Sequence, residues 1–309
     1  MLDSLSLGHY MNLHKLIASE KVKASLYNLY VQRLFIRVSF LCISFIFSNN
    51  ALAEQVLPKW EFGLGPALLS YPDYPGSKEQ NQLLIPLPYI VYRGKHFSIN
   101  QQALTKPFLK TPTIELDLSL SGSIPVASKD NKKRAGMSDL DGSIGLGPVL
   151  TYRLYQYQLN ELKFELPIRA IIASDFKRIH QEGWVANPGV FYYYRKALSH
   201  KQRIKITVGA AANFADSENH NYYYGVDSHD ATPERPAYKT TDGFSGVSYH
   251  LSVNYHFDQF WLGGFWRGFD MSQAVFKKSP LVETQFSNMF GLILTWNFMT
   301  SVETVKGLE

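Results

Sequence analysis

Much of the chain beyond residue 53 alternates between apolar and polar side chains. In Thr113–Ser121, Ile114 and the leucines share one face, and Glu115 and Asp117 lie on the other. The same alternation recurs in Glu161–Ile172, Val247–Phe257 and Phe290–Phe298. Because successive side chains of a strand point to opposite sides, each segment predicts a β-strand with one apolar and one more polar face.

The length of these strands favours a membrane barrel. They run for about nine to twelve residues, whereas strands of globular proteins usually have about five or six and a tilted membrane strand needs about nine to eleven. Aromatic residues stand near the strand ends, at Tyr152, Tyr155, Tyr192, Tyr194, Tyr255, Phe257, Trp296 and Phe298. Such aromatics are typical of the girdles of outer-membrane barrels. A secreted β-sandwich, the alternative, explains the alternation but neither the strand length nor the aromatic content.

Turn signals and loops give the same picture. Short turn signals at Tyr157–Asn160 and Asp258–Gln259 contrast with long polar loops such as Ser128–Gly142 and Ser228–Gly243. Short turns at one end and long loops at the other are the outer-membrane arrangement. We therefore predict an all-β fold, a transmembrane antiparallel up-and-down β-barrel of about twelve strands. The count falls to ten if the weak segments 96–103 and 221–227 are not strands.

The first 53 residues resemble an export signal. Basic residues precede a run of about ten apolar residues, Val38–Phe47, which is too short for a membrane helix. The small residues of Ala51–Ala53 follow. This order predicts a secretory signal peptide over residues 1–53, cleaved after Ala53 and exported through the Sec pathway. An N-terminal anchor is the alternative. The barrel would then cover 54–298, followed by a tail at 299–309.

Composition limits the function classes. The chain has 309 residues, of which 45% are hydrophobic, 14% aromatic and only 18% charged, compared with about 25% charged in soluble domains. The aromatic content argues against disorder. The single cysteine, Cys42, lies inside the predicted leader, so a disulfide framework is excluded. A net charge of +5 without long basic clusters gives no nucleic-acid footprint.

The charged residues of the strands are expected to face the lumen. A lysine or arginine facing lipid at mid-membrane costs about 2–4 kcal/mol, so the polar faces should line the barrel interior. The predicted lumen-facing residues are Glu115, Asp117, Arg153, Lys163, Glu165, Arg169, His250 and Asn254. Opposite charges on neighbouring strands can pair there. We expect a salt-bridged polar interior, which favours a scaffold over a general porin.

No catalytic, cofactor or metal site is predicted. His250, Ser252 and Asn254 resemble the parts of a nucleophile–base–orienter set, but they alternate along one strand face inside the barrel. No Gly-x-Ser-x-Gly elbow occurs. Scattered histidines and aspartates, such as His220 and His229 with Asp227, match no zinc spacing. We expect them to be solvated loop residues. The expected assignment is no enzyme activity, with a polar lumen lining instead.

A run of Pro, Gly and Tyr residues near the barrel start carries a family resemblance. Gly63–Pro66 is followed by Tyr71–Ser77 and then by Pro86–Gly94, which reads PLPYIVYRG. This pairing resembles the MipA/OmpV family of outer-membrane proteins, named for the MltA-interacting protein. A terminal aromatic is usual in such barrels, whereas here Phe298 is followed by the tail.

The resemblance implies a function and a location. It implies a Gram-negative outer-membrane barrel, in contact with outer-membrane lipid, that acts as a non-enzymatic scaffold for a murein lytic transglycosylase and a murein synthase. A porin-like channel for small solutes is the alternative. The motif residues, which are turn formers and possible docking residues, are Tyr74, Pro75, Gly76, Ser77, Pro88, Tyr89 and Arg93.

Overall fold

A computed structural model describes residues 55–94, 98–99, 104–105, 108–175, 177–199 and 201–307. The predicted signal peptide at 1–53, with its cleavage site and Cys42, lies outside the described residues. Within them, no helix is long and apolar enough to cross a bilayer.

The described chain is almost entirely antiparallel β-structure. One short helix interrupts it, α1 at Ser217–Tyr224, together with a single 3₁₀ turn at Ser128–Asp130. The strands are β1 Gln55–Pro58, β2 Trp60–Pro72, β3 Gln80–Arg93, β4 Ser98–Ile99, β5 Leu104–Thr105, β6 Leu109–Lys110, β7 Ile114–Ser123, β8 Gly142–Tyr157, β9 Asn160–Ser174, β10 Ile179–Ala186, β11 Gly189–Ser199, β12 Gln202–Ala215, β13 Gly243–Phe257, β14 Phe260–Asp270, β15 Phe286–Thr300 and β16 Thr304–Gly307.

Ten long strands build the wall. Strands β10 and β11 both lie between β9 and β12 and together form one strand, broken where Asn187 and Pro188 intervene. Of the weak predicted segments, 96–103 contains only the two-residue β4 among its described residues. The expectation of a strand at 221–227 is wrong, because most of that segment belongs to α1. Asp216 caps this helix by accepting a hydrogen bond from the Asn219 amide.

The sheet closes on itself. The first long strand, β2, pairs with the last, β15, and the pairing then runs unbroken through β14 to β7 on one side and through β3 to β4 and β5 on the other. This order of paired strands ends at β5 on one side and at β6 on the other, and these two strands are consecutive in the chain. Cα atoms of β5 also come within 8 Å of those of β7. Antiparallel neighbours with closed ends make an up-and-down barrel, as the alternation predicts.

Glycine is required where the first and last strands meet. A Cβ added to Gly65 would lie 1.8 Å from the carbonyl oxygen of Leu294 on β15. The same four residues, Gly-Leu-Gly-Pro, recur at Gly145–Pro148, where a Cβ on Gly147 would lie 1.9 Å from a carbonyl oxygen of β9. Both glycines lie where the regular residue pairs of their ladders are interrupted, between Leu64 and Ala67 and between Leu146 and Val149. The motif therefore permits two close backbone approaches in the wall.

The outer surface of the barrel is apolar. Outward side chains left exposed include Leu64, Leu68, Leu84, Ile90, Ile144, Leu146, Leu150, Val208, Leu251, Val253, Leu292 and Leu294. A continuous apolar surface of this kind fits hydrocarbon rather than water. Aromatic rings cluster where strands begin and end, as in the Phe62–Phe298 and Phe257–Phe260 contacts, with ring centroids 5.6 and 5.5 Å apart. This is the girdle that the sequence predicts.

The two ends of the barrel differ. One end, here the turn end, carries two-residue connections whose first residues, Gln158 and Asp258, have positive φ. The other end, the loop end, carries the connections 73–79, 124–141, 175–178, 216–242 and 271–285. At the turn end β1 and β16 form a separate antiparallel ribbon, supported by the Lys59–Glu303 ion pair at 2.9 Å. The residues after Phe298 thus continue β15 to Thr300 and then pair with the chain near residue 55.

We predict that Gly65→Ala impairs barrel closure, because its methyl group would collide with the Leu294 carbonyl. The measurement is heat-modifiable migration on a gel after membrane extraction. Gly264→Ala is the matched control, since the nearest atoms to a Cβ there are 3.8 Å away. Equal folded fractions for the two variants would contradict this role of Gly65.

Candidate functional site

A buried cluster, here the cap, joins the loops at the loop end. The Tyr224 ring from α1 stacks on Phe276 with 3.7 Å between centroids. The hydroxyl of Tyr74 donates to the Leu281 carbonyl at 2.9 Å, and that of Tyr224 donates to the Pro75 carbonyl at 2.8 Å. The buried members of the cap are Tyr74, Val126, Leu140, Tyr224, Val226, Met271, Ala274, Phe276 and Leu281. The loops therefore share a hydrophobic core of their own.

The Tyr74–Ser77 motif lies inside this cap. The side chains of Tyr74 and Ser77 are 2% and 1% exposed. Gly76 has φ +102°, and its amide donates to the Ser287 hydroxyl at 2.9 Å. Asn131 donates to Ser77 Oγ at 3.1 Å and so ties the motif to the next loop. The segment is a buried turn that organises the cap, and its suggested docking role stays a prediction.

A buried arginine links two of the loops that form the cap. Arg134 is 3% exposed, and its guanidinium donates to Ser128 Oγ, the Tyr223 carbonyl and the Ser138 carbonyl at 3.1–3.2 Å. It also lies 5.9 Å from the centre of the Tyr74 ring. Burial lowers the pKa of Arg134. Neutral acceptors hold this side chain, so its role is to connect backbone segments.

His220 of α1 is held as a neutral imidazole. Its Nδ1 lies 2.8 Å from the Thr241 carbonyl, which can only accept, so Nδ1 donates. Its Nε2 lies 2.7 Å from Ser245 Oγ, and the ring packs on Phe276. Burial lowers the pKa of His220. The side chain is a structural part of the cap, where sequence reasoning placed it among solvated loop residues.

Two groups of ion pairs lie in the lumen near the turn end. Glu161 contacts Arg153 at 2.9 Å, Lys163 at 3.0 Å and Arg195 at 2.8 Å. In a second group, Glu61 contacts Arg93 at 2.8 Å and Arg203 at 3.9 Å. Arg153 and Lys163, which were predicted to face the lumen, thus contact the same carboxylate. That carboxylate, Glu161, was not among the predicted lumen-facing residues. Motif residue Arg93 is part of this interior network.

Aromatic rings complete the lower lumen. The Tyr193 hydroxyl donates to the Glu165 carboxylate, and Lys163, Arg195 and Lys205 each lie 5.3–5.6 Å from the Tyr193 ring centre. Such cation–π contacts stabilise charges away from bulk water. Motif residue Tyr89 is buried against Trp261, whereas Pro88 is exposed on the outer face.

The other predicted lumen residues are more dispersed. Glu115 pairs with Lys110 at 3.5 Å, and Asp117 is buried. Arg169 donates to Ser119 Oγ at 2.7 Å. Asn254 lies opposite Lys205 in the β12–β13 ladder, and so on the same side of the wall. The structure therefore separates these residues into different levels of the lumen.

The His250, Ser252 and Asn254 set does not form a nucleophile–base pair. His250 makes an edge contact with the Phe191 ring at 6.3 Å. Ser252 Oγ is buried and has no hydrogen-bond partner among the described residues. A nucleophile needs its base within hydrogen-bond reach, and this arrangement does not provide one.

Sequence reasoning missed several interior residues. Glu61, Tyr193 and Arg203 are central to the lower lumen, and Arg267 stands alone higher up. Each occupies an inward position of an alternating strand, so the period-two pattern could have identified it. Their strands mix glycines and aromatics on the inner face, as in Gly263 beneath Trp261, and this weakens the polar signal.

Comparison with known proteins identifies the family. A family model described as MltA-interacting protein MipA matches residues 64–298. The chain belongs to the MipA family. The match begins in β2 and ends in β15, so MipA similarity spans the barrel wall and the cap loops. The resemblance carried by the Gly63–Pro66 and Tyr71–Ser77 motifs is thereby confirmed.

Other comparisons add less. No curated protein gives a match. Among solved structures, the crystal structure of a Pseudomonas aeruginosa FadL homologue is similar with a TM-score of 0.24 and 9% identity, covering 80% of this chain and 91% of that chain. The barrel assignment for this MipA family member therefore rests on the strand pairing described above.

We predict that acid loosens the cap through His220. An imidazole in an opened cap takes up a proton near its ordinary pKa of about 6.5, whereas the buried ring resists protonation, so the cap loses stability as pH falls below that value. We expect the amide protons of α1 to exchange faster at acid pH, after correction for intrinsic exchange rates. The acceleration should be on the order of tenfold for each pH unit by which burial lowers the pKa of His220.

His220→Gln is the control for this pH effect. The amide keeps polar groups near Thr241 and Ser245 but does not titrate, so its cap should be looser at neutral pH and lack the acid step. The nearby carboxylates Asp216 and Asp242 favour the protonated ring and reduce the effect. An acid step of equal size in the variant would assign it to other groups.

Proposed function

We propose that this protein is a non-enzymatic outer-membrane scaffold that holds a murein lytic transglycosylase and a murein synthase near each other. Membership of the MipA family, whose name refers to an MltA-interacting protein, is the observation that carries the proposal. The apolar outer surface and the closed antiparallel wall support a place in the outer membrane. Export by the Sec pathway, through the signal at 1–53, belongs to the same proposal.

The interior supports a scaffold over an open channel. The cap covers the loop end, and the Glu161 and Glu61 networks occupy the lumen near the turn end. The His250 and Ser252 side chains lack the contact that nucleophilic catalysis needs. These features favour a protein that acts through its surfaces.

The turn end is the proposed docking face. In outer-membrane barrels the short turns face the periplasm and the long loops face outward, and murein lies on the periplasmic side. The turn end presents the β1–β16 ribbon and the exposed Lys201–Asp258 pair, 3.0 Å apart. Docking through Tyr74–Ser77 would instead require a partner at the loop end.

We predict that the purified full-length barrel captures a lytic transglycosylase or a murein synthase, and that Lys201→Glu weakens the capture several-fold. The charge reversal places like charges next to Asp258 on the proposed docking face. Lys132→Glu is the matched control, because Lys132 forms a similar exposed pair with Glu79 at the loop end. Folding of each variant is checked by heat-modifiable migration.

The possible outcomes separate the models. Loss of capture in the Lys132 variant alone would place docking at the loop end and so favour the Tyr74–Ser77 segment. Failure of the folded wild-type barrel to bind either enzyme would remove the scaffold proposal.

A porin-like channel for small solutes is the second candidate. Arg267 is exposed on the inward face of β14, which favours a solvent-accessible space inside the wall. For a channel we expect stable single-channel steps in planar bilayers, increased by loosening the cap with Tyr74→Ala. Silent bilayers that contain folded protein, both wild type and variant, would exclude conduction.

A further inference from the structure

We propose that the middle of the lumen contains a binding site for a small anion bearing carboxylate or phosphate oxygens, held between the guanidinium groups of Arg169 and Arg267. The site lies between the cap and the lower ion-pair networks. It is independent of whether the barrel is a scaffold or a channel.

Arg267 is a cation without a counter-charge. It lies on the inward face of β14, opposite His250 of β13 and Met289 of β15 in the ladders. Its guanidinium sits 5.9 Å from the centre of the Phe265 ring on the same strand. Among the described residues no carboxylate oxygen lies within 4.0 Å of it, and its side chain donates no hydrogen bond. The residue is nevertheless exposed, so open space adjoins its side chain inside the wall.

Arg169 is held in place by neutral groups. Its Nε donates to Ser119 Oγ at 2.7 Å, and its Nη1 donates to Asn187 Oδ1 at 2.9 Å. Asn187 in turn donates to Asn213 Oδ1 at 2.9 Å. These acceptors orient the guanidinium without cancelling its charge. A preorganised guanidinium is well suited to carboxylate or phosphate, which it can bind through two parallel hydrogen bonds.

The two arginines occupy inward positions on different strands of the wall. They stand on β9 and β14, which are separated at this level by β10, β12 and β13 in the wall. Each guanidinium lies within electrostatic range of the other. Two like charges in a confined space are unfavourable unless an anion lies between them, and rings of Arg or Lys are the usual lining of anion-selective pores.

Carboxylates near the site are already engaged or distant. Glu165 accepts from the Tyr193 hydroxyl, and its charge also acts on Arg169. Asp117 accepts from the Leu118 amide. The inward residues of β3 and β15 in this part of the wall are apolar and supply no acid: Leu83, Ile85, Leu87, Met289 and Ile293. In the lower lumen, by contrast, the basic neighbours of Glu161 and Glu61 each contact a carboxylate. Arg169 and Arg267 thus differ from these cations in having no carboxylate oxygen within 4.0 Å among the described residues.

The test is anion-dependent stability of the full-length barrel in detergent. The midpoint of heat-modifiable unfolding is measured in sodium phosphate and in sodium succinate, each against sodium chloride of equal ionic strength. Since a ligand that binds only the folded state raises its stability with concentration, we expect a rising midpoint for the wild type. A response to phosphate alone or to succinate alone supports the site and identifies the preferred oxyanion.

The double variant Arg169→Gln/Arg267→Gln should lose this rise. The matched control is Lys132→Gln/Arg178→Gln, which removes two exposed charges at the loop end and should keep it. If the double variant does not fold, Arg267→Gln alone is decisive, because Arg267 has no hydrogen bond to lose. In chloride that variant should be at least as stable as the wild type, whereas a purely structural arginine would leave it less stable.

Two results would overturn the proposal. The first is an equal rise in the wild type, the Arg267→Gln variant and the control, which would reflect a general salt effect. The second is no rise in the wild type with either anion.

Discussion

The pairing of β2 with β15 is the contact on which the rest of the structure depends. A sheet with an apolar outer surface in a bilayer cannot leave backbone amides and carbonyls unpaired, since lipid offers them no hydrogen bonds. Joining the first long strand to the last removes both edges. The close approach of the two backbones at Gly65 shows how little space this joint leaves for side chains.

Closure divides the side chains into two environments. Outward positions meet hydrocarbon and are leucine, isoleucine, valine and aromatic residues, whereas inward positions carry nearly all the charge of the wall. The interior changes with height. Ion pairs and the Tyr193 ring with its neighbouring cations lie near the turn end, two arginines without an ion-pair partner lie in the middle, and a buried aromatic cluster lies beneath the outer loops. The molecule therefore has three interior layers with different chemistry.

The sequence predicted the wall well and the loops poorly. Alternation is set by strand geometry alone, so the segments around Leu116, Leu166 and Leu251 could be assigned without tertiary information. Tyr222–Tyr224 carries the same apolar signal, but an Asp216 cap and contacts with three other loops make it a helix. Likewise, Tyr74 and Ser77 are typical turn residues, and nothing local indicates that partners more than fifty residues away, such as Asn131 and Leu281, bury them.

The ribbon of β1 and β16 has a consequence for connectivity. Gln55 lies opposite Gly307, and Pro58 opposite Thr304, so the two ends of the described chain run side by side in antiparallel register beneath the wall. A short linker between them would turn the polypeptide into a ring of successive hairpins. The barrel then has no unique starting strand, and a circular permutant opened within one of the outer loops should retain the same order of neighbours.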